Sequence, residues 1–294
     1  MRSKYERQDE LAGILFLTPY LILWLLFAVL PVGYGFYISI HKWNPMGDSP
    51  FVGFDNYIRL FQNDRFWNAL ENTVVYALWA IPLTLVLGLA FALLLKNARI
   101  WGLSAVEGAL FFPYLLNVAV VGILWTFLLD PSVGIVPYYL KVIGITPPTF
   151  LNSPTFVLPT IAFVSAWWLC GYRMVVFRAA LNAIPSELYE SSELDGAGRV
   201  QQFFMITLPL IKPSLLFATI VTLVAGLCML AQVIIMTDGG PGTASEVLAL
   251  FMYRTAFESF DFGSAAAVGF ILFAIVLVVS LGLVKLLGLE SELG

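Results

Sequence analysis

Charge is what this sequence has least of. Asp, Glu, Lys and Arg make up 12% of its 294 residues, against about 25% in soluble globular chains, which excludes an ordinary water-soluble fold. Histidine occurs once, as His41, and cysteine twice, as Cys170 and Cys228. Both cysteines fall inside apolar stretches, so no disulfide framework and no metal-site spacing is indicated. The chain also lacks a phosphate-binding loop, an HExxH, a CxxC and a GxSxG. Nucleotide hydrolysis, metalloprotease and serine-hydrolase chemistry therefore have no residues to work with, and no nucleophile, base and orienting group can be assembled. The chain is expected to be no enzyme and to hold no cofactor. A net charge of -4 offers no basic patch for nucleic acid.

What is present is apolar: 60% of the residues are hydrophobic, gathered into stretches near or above the roughly 20 residues that cross a bilayer. Six spans are predicted, over 11–40, 70–95, 106–129, 156–181, 208–236 and 265–289, giving an all-α integral membrane protein in a single transmembrane domain. A transmembrane barrel would show alternating segments, and the run Leu83 to Leu95 does not alternate. The first stretch is too long and lacks the small-residue cleavage site of a secretory signal, so it counts as a span. Lys and Arg number nine in one set of connections, namely Arg2, Lys4, Arg7, Lys96, Arg99, Arg178, Arg199, Lys212 and Lys285, and five in the other. The richer side is cytoplasmic by the positive-inside rule, which places both termini inside.

The connections differ in character. The outer stretch from Lys42 to Ala69 is too aromatic for a flexible linker. Asp130 to Pro154, with Pro147-Pro148, predicts an irregular but ordered loop. After Gly239-Gly240-Pro241-Gly242, the run VLALFMYRTAFES predicts a short amphipathic helix. Inside, the connection 182–208 is long. Ser186 is a suitable N-cap and Glu187 suits a helix start, predicting a surface helix to Asp195. Gly196 and Gly198 interrupt it before a second short helical piece.

Ionisable residues within spans are few, and an ion-coupled transporter would place them deep. Nor is an internal repeat visible, so a secondary transporter stands only as the alternative of another class. Arg173 is the clearest such charge, either snorkelling to the interface or facing a polar cavity. Glu107 and Asp130 are expected at the interface.

Glu190-Ser191-Ser192-Glu193-Leu194-Asp195-Gly196-Ala197, followed by Ile206-Thr207-Leu208-Pro209, resembles the EAA loop of binding-protein-dependent ABC permeases. Both alanines of that pattern are serines here. Thr237-Asp238-Gly239-Gly240-Pro241, the Phe262-Gly263-Ser264-Ala265-Ala266 run, and Phe51-Val52-Gly53-Phe54-Asp55-Asn56-Tyr57 with Leu30-Pro31 also resemble the first sugar permease of the carbohydrate uptake family. Three motifs in order cover nearly the whole chain. The resemblance implies a bacterial inner-membrane permease, paired with a related second permease. ATP and Mg would be bound by a separate ATPase dimer, and an extracytoplasmic solute-binding protein would be received by outer loops such as Gly239, Gly240 and Pro241. Glu190, Ser191, Ser192, Asp195, Gly196 and Ala197 would form the ATPase-coupling loop. Asn117, Ser165, Trp168, Tyr172, Arg173 and Gln232 are candidates for a sugar pathway, through hydrogen bonding and stacking. A polyol or glycerol phosphate is the alternative solute, and Arg173 fits an anionic one.

Overall fold

The structure, a computed structural model, describes residues 4–96 and 102–286, with side chains from Ile14 onward. Arg2, Arg99, the side chains of Lys4 and Arg7, and residues 287–289 of the last predicted span lie outside that description. The described chain is helical apart from turns and one isolated bridge, His41 to Phe51. Four helices are long and apolar enough to cross a membrane, or up to six spans if two bent pairs are each counted as one.

Two compact units divide the chain, Met1–Gln62 with Met252–Ile271, and Asn63–Phe251 with Leu272–Gly294. In the first, α1 (Lys4–Trp24) passes through a π-helical turn (Leu25–Val29) into α2 (Leu30–Ser39), and α3 covers Asp55–Phe61. Buried Asn56 ties this unit together, its Nδ2 donating to the carbonyls of Ser39 at 2.7 Å and His41 at 3.0 Å.

The second unit holds α4 (Asp64–Lys96), α5 (Leu103–Leu115), α6 (Val118–Leu128), α7 (Ile135–Val142), α8 (Val157–Asn182) and α9 (Ser186–Leu194). It continues with α10 (Arg199–Gln202), a second π-helical turn (Phe203–Thr207), α11 (Leu208–Leu210), α12 (Lys212–Leu227) and α13 (Ala231–Met236). α14 (Leu248–Phe257) and α15 (Phe262–Leu286) follow, and each spans the boundary between the units along the chain.

Both π turns precede a Leu-Pro pair. Leu30 N–H reaches back to Leu25 O, and Leu208 N–H to Phe203 O. Pro31 and Pro209 then have no N–H to give, and each ring crowds the carbonyl four residues back. The wider turn relieves that crowding.

α8 is the centre of the second unit. Of its most apolar window 61% is buried, against 28% for α4, although it is the less apolar of the two; a central helix can carry polar residues because neighbours, not lipid, surround it. Glycines set its neighbours' distance. A Cβ on Gly88 of α4 would stand 2.6 Å from Arg173 Cβ, and one on Gly171 would collide with the Leu110 carbonyl of α5. The helices touch backbone to backbone there, as small residues allow in membranes.

Two predicted spans are interrupted. In 106–129 the chain turns extended at Leu116 and Asn117, and α5 and α6 meet at 99°. Pro113 weakens the last turn of α5, and Asn117 Oδ1 accepts the Ala119 N–H at 2.9 Å, starting α6 as its N-cap. In 208–236 the helix stops at Cys228 and resumes at Ala231. A 67° bend also separates the Arg199–Leu210 run from α12.

Candidate pathway and coupling surface

The breaks border a cavity of about 450 Å³ between α4, α6, α8, α12 and α13. Its wall is mostly apolar, with Tyr76, Thr84, Ser165, Trp168, Thr222 and Gln232 supplying the polarity. Tyr76 OH donates to Ser165 Oγ at 2.8 Å, and Ser165 Oγ lies 2.9 Å from both Gln232 Oε1 and Ile161 O. One hydroxyl proton is thus offered two oxygen acceptors at equal distance. Among the described residues the Gln232 amide nitrogen meets only the Met236 sulfur, at 3.7 Å, a weak acceptor, leaving donor capacity beside the cavity. Thr84 and Thr222 direct their protons to the carbonyls of Ala80 and Ala218, both at 2.6 Å.

The sequence-nominated pathway residues therefore separate into groups. Ser165, Trp168 and Gln232 line the cavity. Trp168 spends its indole N–H on Leu116 O at the broken span, at 3.2 Å. Asn117 is an exposed helix cap beside Val118, which does line the cavity. Tyr172 stacks on Tyr114 with ring centroids 4.9 Å apart. Arg173 is buried and donates from Nε to Thr222 Oγ1 at 2.8 Å; it does not snorkel. Tyr76 was missed, although a lone tyrosine in an apolar span is a signal.

At the C-terminal end of α8 the chain turns through Pro185 into α9. Pro185, not Ser186, occupies the N-cap position, and Ser186 opens the helix without a side-chain cap bond. Proline fixes φ but gives no capping oxygen, so the helix start is set sterically. The end is better defined. Gly196 has φ +83, its N–H bonds to Glu193 O, and the Ala197 N–H bonds to Ser192 O. That pair is a Schellman stop, whose left-handed residue is the place for glycine.

α9 folds back on α10 through Gln202, whose Nε2 donates to Ser192 Oγ at 3.0 Å and to Tyr189 O at 3.3 Å. Tyr189 OH meets Thr207 Oγ1 at 2.9 Å, and Lys96 Nζ stands 4.2 Å from the Tyr189 ring centroid. Glu190, Ser191, Glu193 and Asp195 remain exposed, as do Leu194 (90%) and Val200 (72%). An open groove of about 840 Å³ runs alongside, edged by Lys96, Glu190, Glu193 and Arg199. The surface of α9 is thus acidic, with exposed apolar residues at Leu194 and nearby Val200.

The segment after α13 is held to α4. Asp238, Gly239 and Gly242 have positive φ, and Gly240-Pro241 is cis. Ser245 Oγ donates to Gly240 O at 2.6 Å, and Asn68 and Asn72 donate to Thr243 O at 3.0 and 2.9 Å. Gly239, Gly240 and Pro241 thus form an anchored turn.

A multispanning helical bundle with a mostly apolar cavity carrying a few polar groups, interrupted spans beside it and an exposed amphiphilic helix has the makeup of a membrane transport permease. The chain belongs to the family described as binding-protein-dependent transport system inner membrane component, which residues 57–288 match. It is 34% identical over 278 residues to the probable ABC transporter permease protein YurN of Bacillus subtilis, covering 93% of this chain and 95% of that one. It is 30% identical to the trehalose/maltose transport system permease protein MalF of Thermococcus litoralis, over 94% of both chains. Among solved structures it resembles the bacterial alginate ABC transporter in complex with alginate pentasaccharide-bound periplasmic protein, at a TM-score of 0.79 and 26% identity, with 96% of each chain covered. The family's members include sugar permeases, and the chain is a transport component rather than an enzyme.

Proposed function

We propose that this chain is the permease subunit of an ATP-driven importer that translocates a sugar or oligosaccharide delivered by a solute-binding protein. The observation that carries the coupling role is α9. It projects with Glu190 exposed, and its length is fixed by the glycine stop at Gly196. A short acidic helix of fixed end and apolar shoulders suits insertion into a groove on a separate ATPase. That partner binds ATP and Mg, and this chain contributes no cofactor. Glu190 makes the polar contact, while Ser191, Ser192, Asp195, Gly196 and Ala197 keep the helix and its turn in shape.

In this assignment α9 and both termini are cytoplasmic, and the Gly239-Gly240-Pro241 turn faces the binding protein on the outer side. A second, related permease completes the pathway. Solute is held in the cavity by Ser165 and Gln232 and packs against Trp168, a combination of hydrogen bonds and ring faces suited to sugars. The relatives' names support a saccharide, since one carries trehalose and maltose and another alginate.

The test is recovery of the tagged chain from its native membrane with mass spectrometry of what stays bound. An ATPase, a second multispanning chain and ATP-dependent sugar uptake are expected, and Glu190→Lys is expected to abolish uptake with membrane insertion intact. Solute movement by this chain alone, without ATP, would overturn the assignment in favour of a secondary transporter.

A further inference from the structure

The cavity offers solute only neutral groups, yet one turn further along α8 lies a charge that neutral sugar transport leaves unused. Ser165, Leu169 and Arg173 recur every fourth residue and so share one stripe of the helix. The first two line the cavity. Thr222, also on its wall, accepts the Arg173 Nε hydrogen bond at 2.8 Å. Arg173 is 3% exposed, and its Cζ stands 5.0 Å from the Tyr172 ring centroid, itself stacked on Tyr114.

No carboxylate among the described residues pairs with it. Ion pairs such as Arg59–Asp261, Arg65–Glu246, Arg178–Glu107 and Arg254–Glu258 lie elsewhere in the chain. Escape to the interface is also blocked. Arg173 stands nine residues before the end of α8 at Asn182, about 14 Å along the axis at 1.5 Å per residue, and its Cβ is pressed against α4 at Gly88. A guanidinium has five N–H donors; Thr222 takes one. A buried charge without a counter-charge is a costly feature for a span, and such charges mark the substrate route by default.

We propose that Arg173 recognises a negative charge on the transported solute, which is a saccharide bearing a carboxylate, phosphate or sulfonate. This rests on the assignment of the cavity as the solute pathway. The sugar ring occupies the cavity among Ser165, Trp168 and Gln232, and its anionic group reaches towards Thr222. Release of the single Nε–Thr222 bond frees the guanidinium to take two anionic oxygens side by side, the geometry that suits its fork. The Tyr172–Tyr114 stack backs the guanidinium plane and keeps it oriented. A neutral sugar would gain nothing from this charge, whereas an anionic one supplies the partner it lacks.

The experiment uses the complete importer, reconstituted in proteoliposomes with its own binding protein. Probes are a radiolabelled neutral disaccharide and its uronate, phosphate and sulfonate counterparts. ATP-dependent uptake of at least one anionic form is expected. Arg173→Gln should lower that uptake at least tenfold and Arg173→Lys less, since charge persists without the fork, and the loss should be greater for the anionic probe than for any neutral one. ATP-driven uptake of the neutral sugar alone, indifferent to Arg173→Gln, would overturn the inference and leave the importer intact. No ATP-driven uptake of any probe, together with no ATPase in the purified complex, would overturn the importer assignment beneath it. Loss of the second permease from the Arg173→Gln complex would show that the charge pairs with that subunit, again overturning the inference. Should Arg173→Gln fail to reach the membrane, Arg173→Lys and Thr222→Val decide: unchanged preference between anionic and neutral probes in both counts against it.

Discussion

Arg65 and Glu246 lie 181 positions apart and are joined by two hydrogen bonds of 2.7 Å, from Nε to Oε2 and from Nη2 to Oε1. The Glu246 side chain is fully buried while that of Arg65 is 47% exposed. Around the pair, Asn72 Nδ2 donates to Glu246 O at 3.0 Å, and the Leu248 N–H donates to Thr73 Oγ1 at 2.8 Å. The start of α4 therefore holds the segment that leads from the Gly239 turn into α14.

Removing Arg65 takes two hydrogen bonds and a positive charge away from a buried carboxylate. Arg65→Ala should lower the melting temperature of the detergent-purified complex. The loss should fall below the roughly 3–5 kcal/mol of a fully buried pair, because half of Arg65 is in solvent. Glu246→Gln, which keeps the shape and loses the charge, should cost less than Arg65→Ala; the reverse order would mean that the pair is not the anchor.

Gly171→Ala should destabilise by at least about 1–3 kcal/mol, the usual range for overpacking, since the new methyl meets the Leu110 carbonyl of α5. Gly108→Ala in α5 is the matched control, with nothing within 4 Å of its added Cβ. It should be neutral or stabilising by about 0.5–1 kcal/mol through helix propensity. Thermal melts of the two variants against the parent check both signs.

Ser192 and Gln202 should be thermodynamically coupled. Ser192→Ala and Gln202→Ala each remove the 3.0 Å bond, so a double-mutant cycle is expected to show a coupling of about 0.5–1.5 kcal/mol. Gln202→Ala also loses the bond to Tyr189 O and should be the more harmful. If α9 transmits ATP hydrolysis, transport per ATP hydrolysed falls in Gln202→Ala while hydrolysis persists. A variant with both rates unchanged would deny the bond any part in coupling.

The two cysteines should report on the cavity. Cys228 is exposed and lines it, whereas Cys170 is 4% exposed in α8. A small polar thiol reagent should therefore label Cys228 and spare Cys170, as read by mass spectrometry of the intact complex. Saturating solute should slow the labelling severalfold. Equal labelling of both thiols would mean that the cavity is not the open route.

Much of this was readable from composition and spacing. The long apolar runs, the surface helix ending near Gly196 and the short helix after the glycine cluster are local properties. The stop at Gly196 could be read because only glycine sits easily at its positive φ. What stayed hidden is directional or distant. Apolar composition is blind to a change of axis, so the 99° bend at Leu116 did not register, although Pro113 and Asn117 are its local marks. The 130–154 connection, expected to be irregular, contains α7. Glu107, expected at the interface, pairs with Arg178 of α8, a contact that spacing along the chain does not announce. Glu246 and Gln202 look like surface residues by type, and only the fold brings each to its partner. For the pathway, sequence picked three cavity residues, Ser165, Trp168 and Gln232. Of the others it named, Tyr172 stacks on Tyr114, Arg173 bonds to cavity-lining Thr222 and Asn117 caps α6.

The interruptions at Leu116–Asn117 and Cys228–Leu230 make the cavity mechanically lopsided. Along α4 and α8, backbones in contact at Gly88 resist bending, although Pro82 costs α4 one helical hydrogen bond. At the two breaks, the main chain has already left the helical pattern, so its dihedrals can turn with few bonds to sacrifice. A load applied at α9 would thus meet one stiff wall and one compliant wall, and the strain would gather at the breaks beside the cavity.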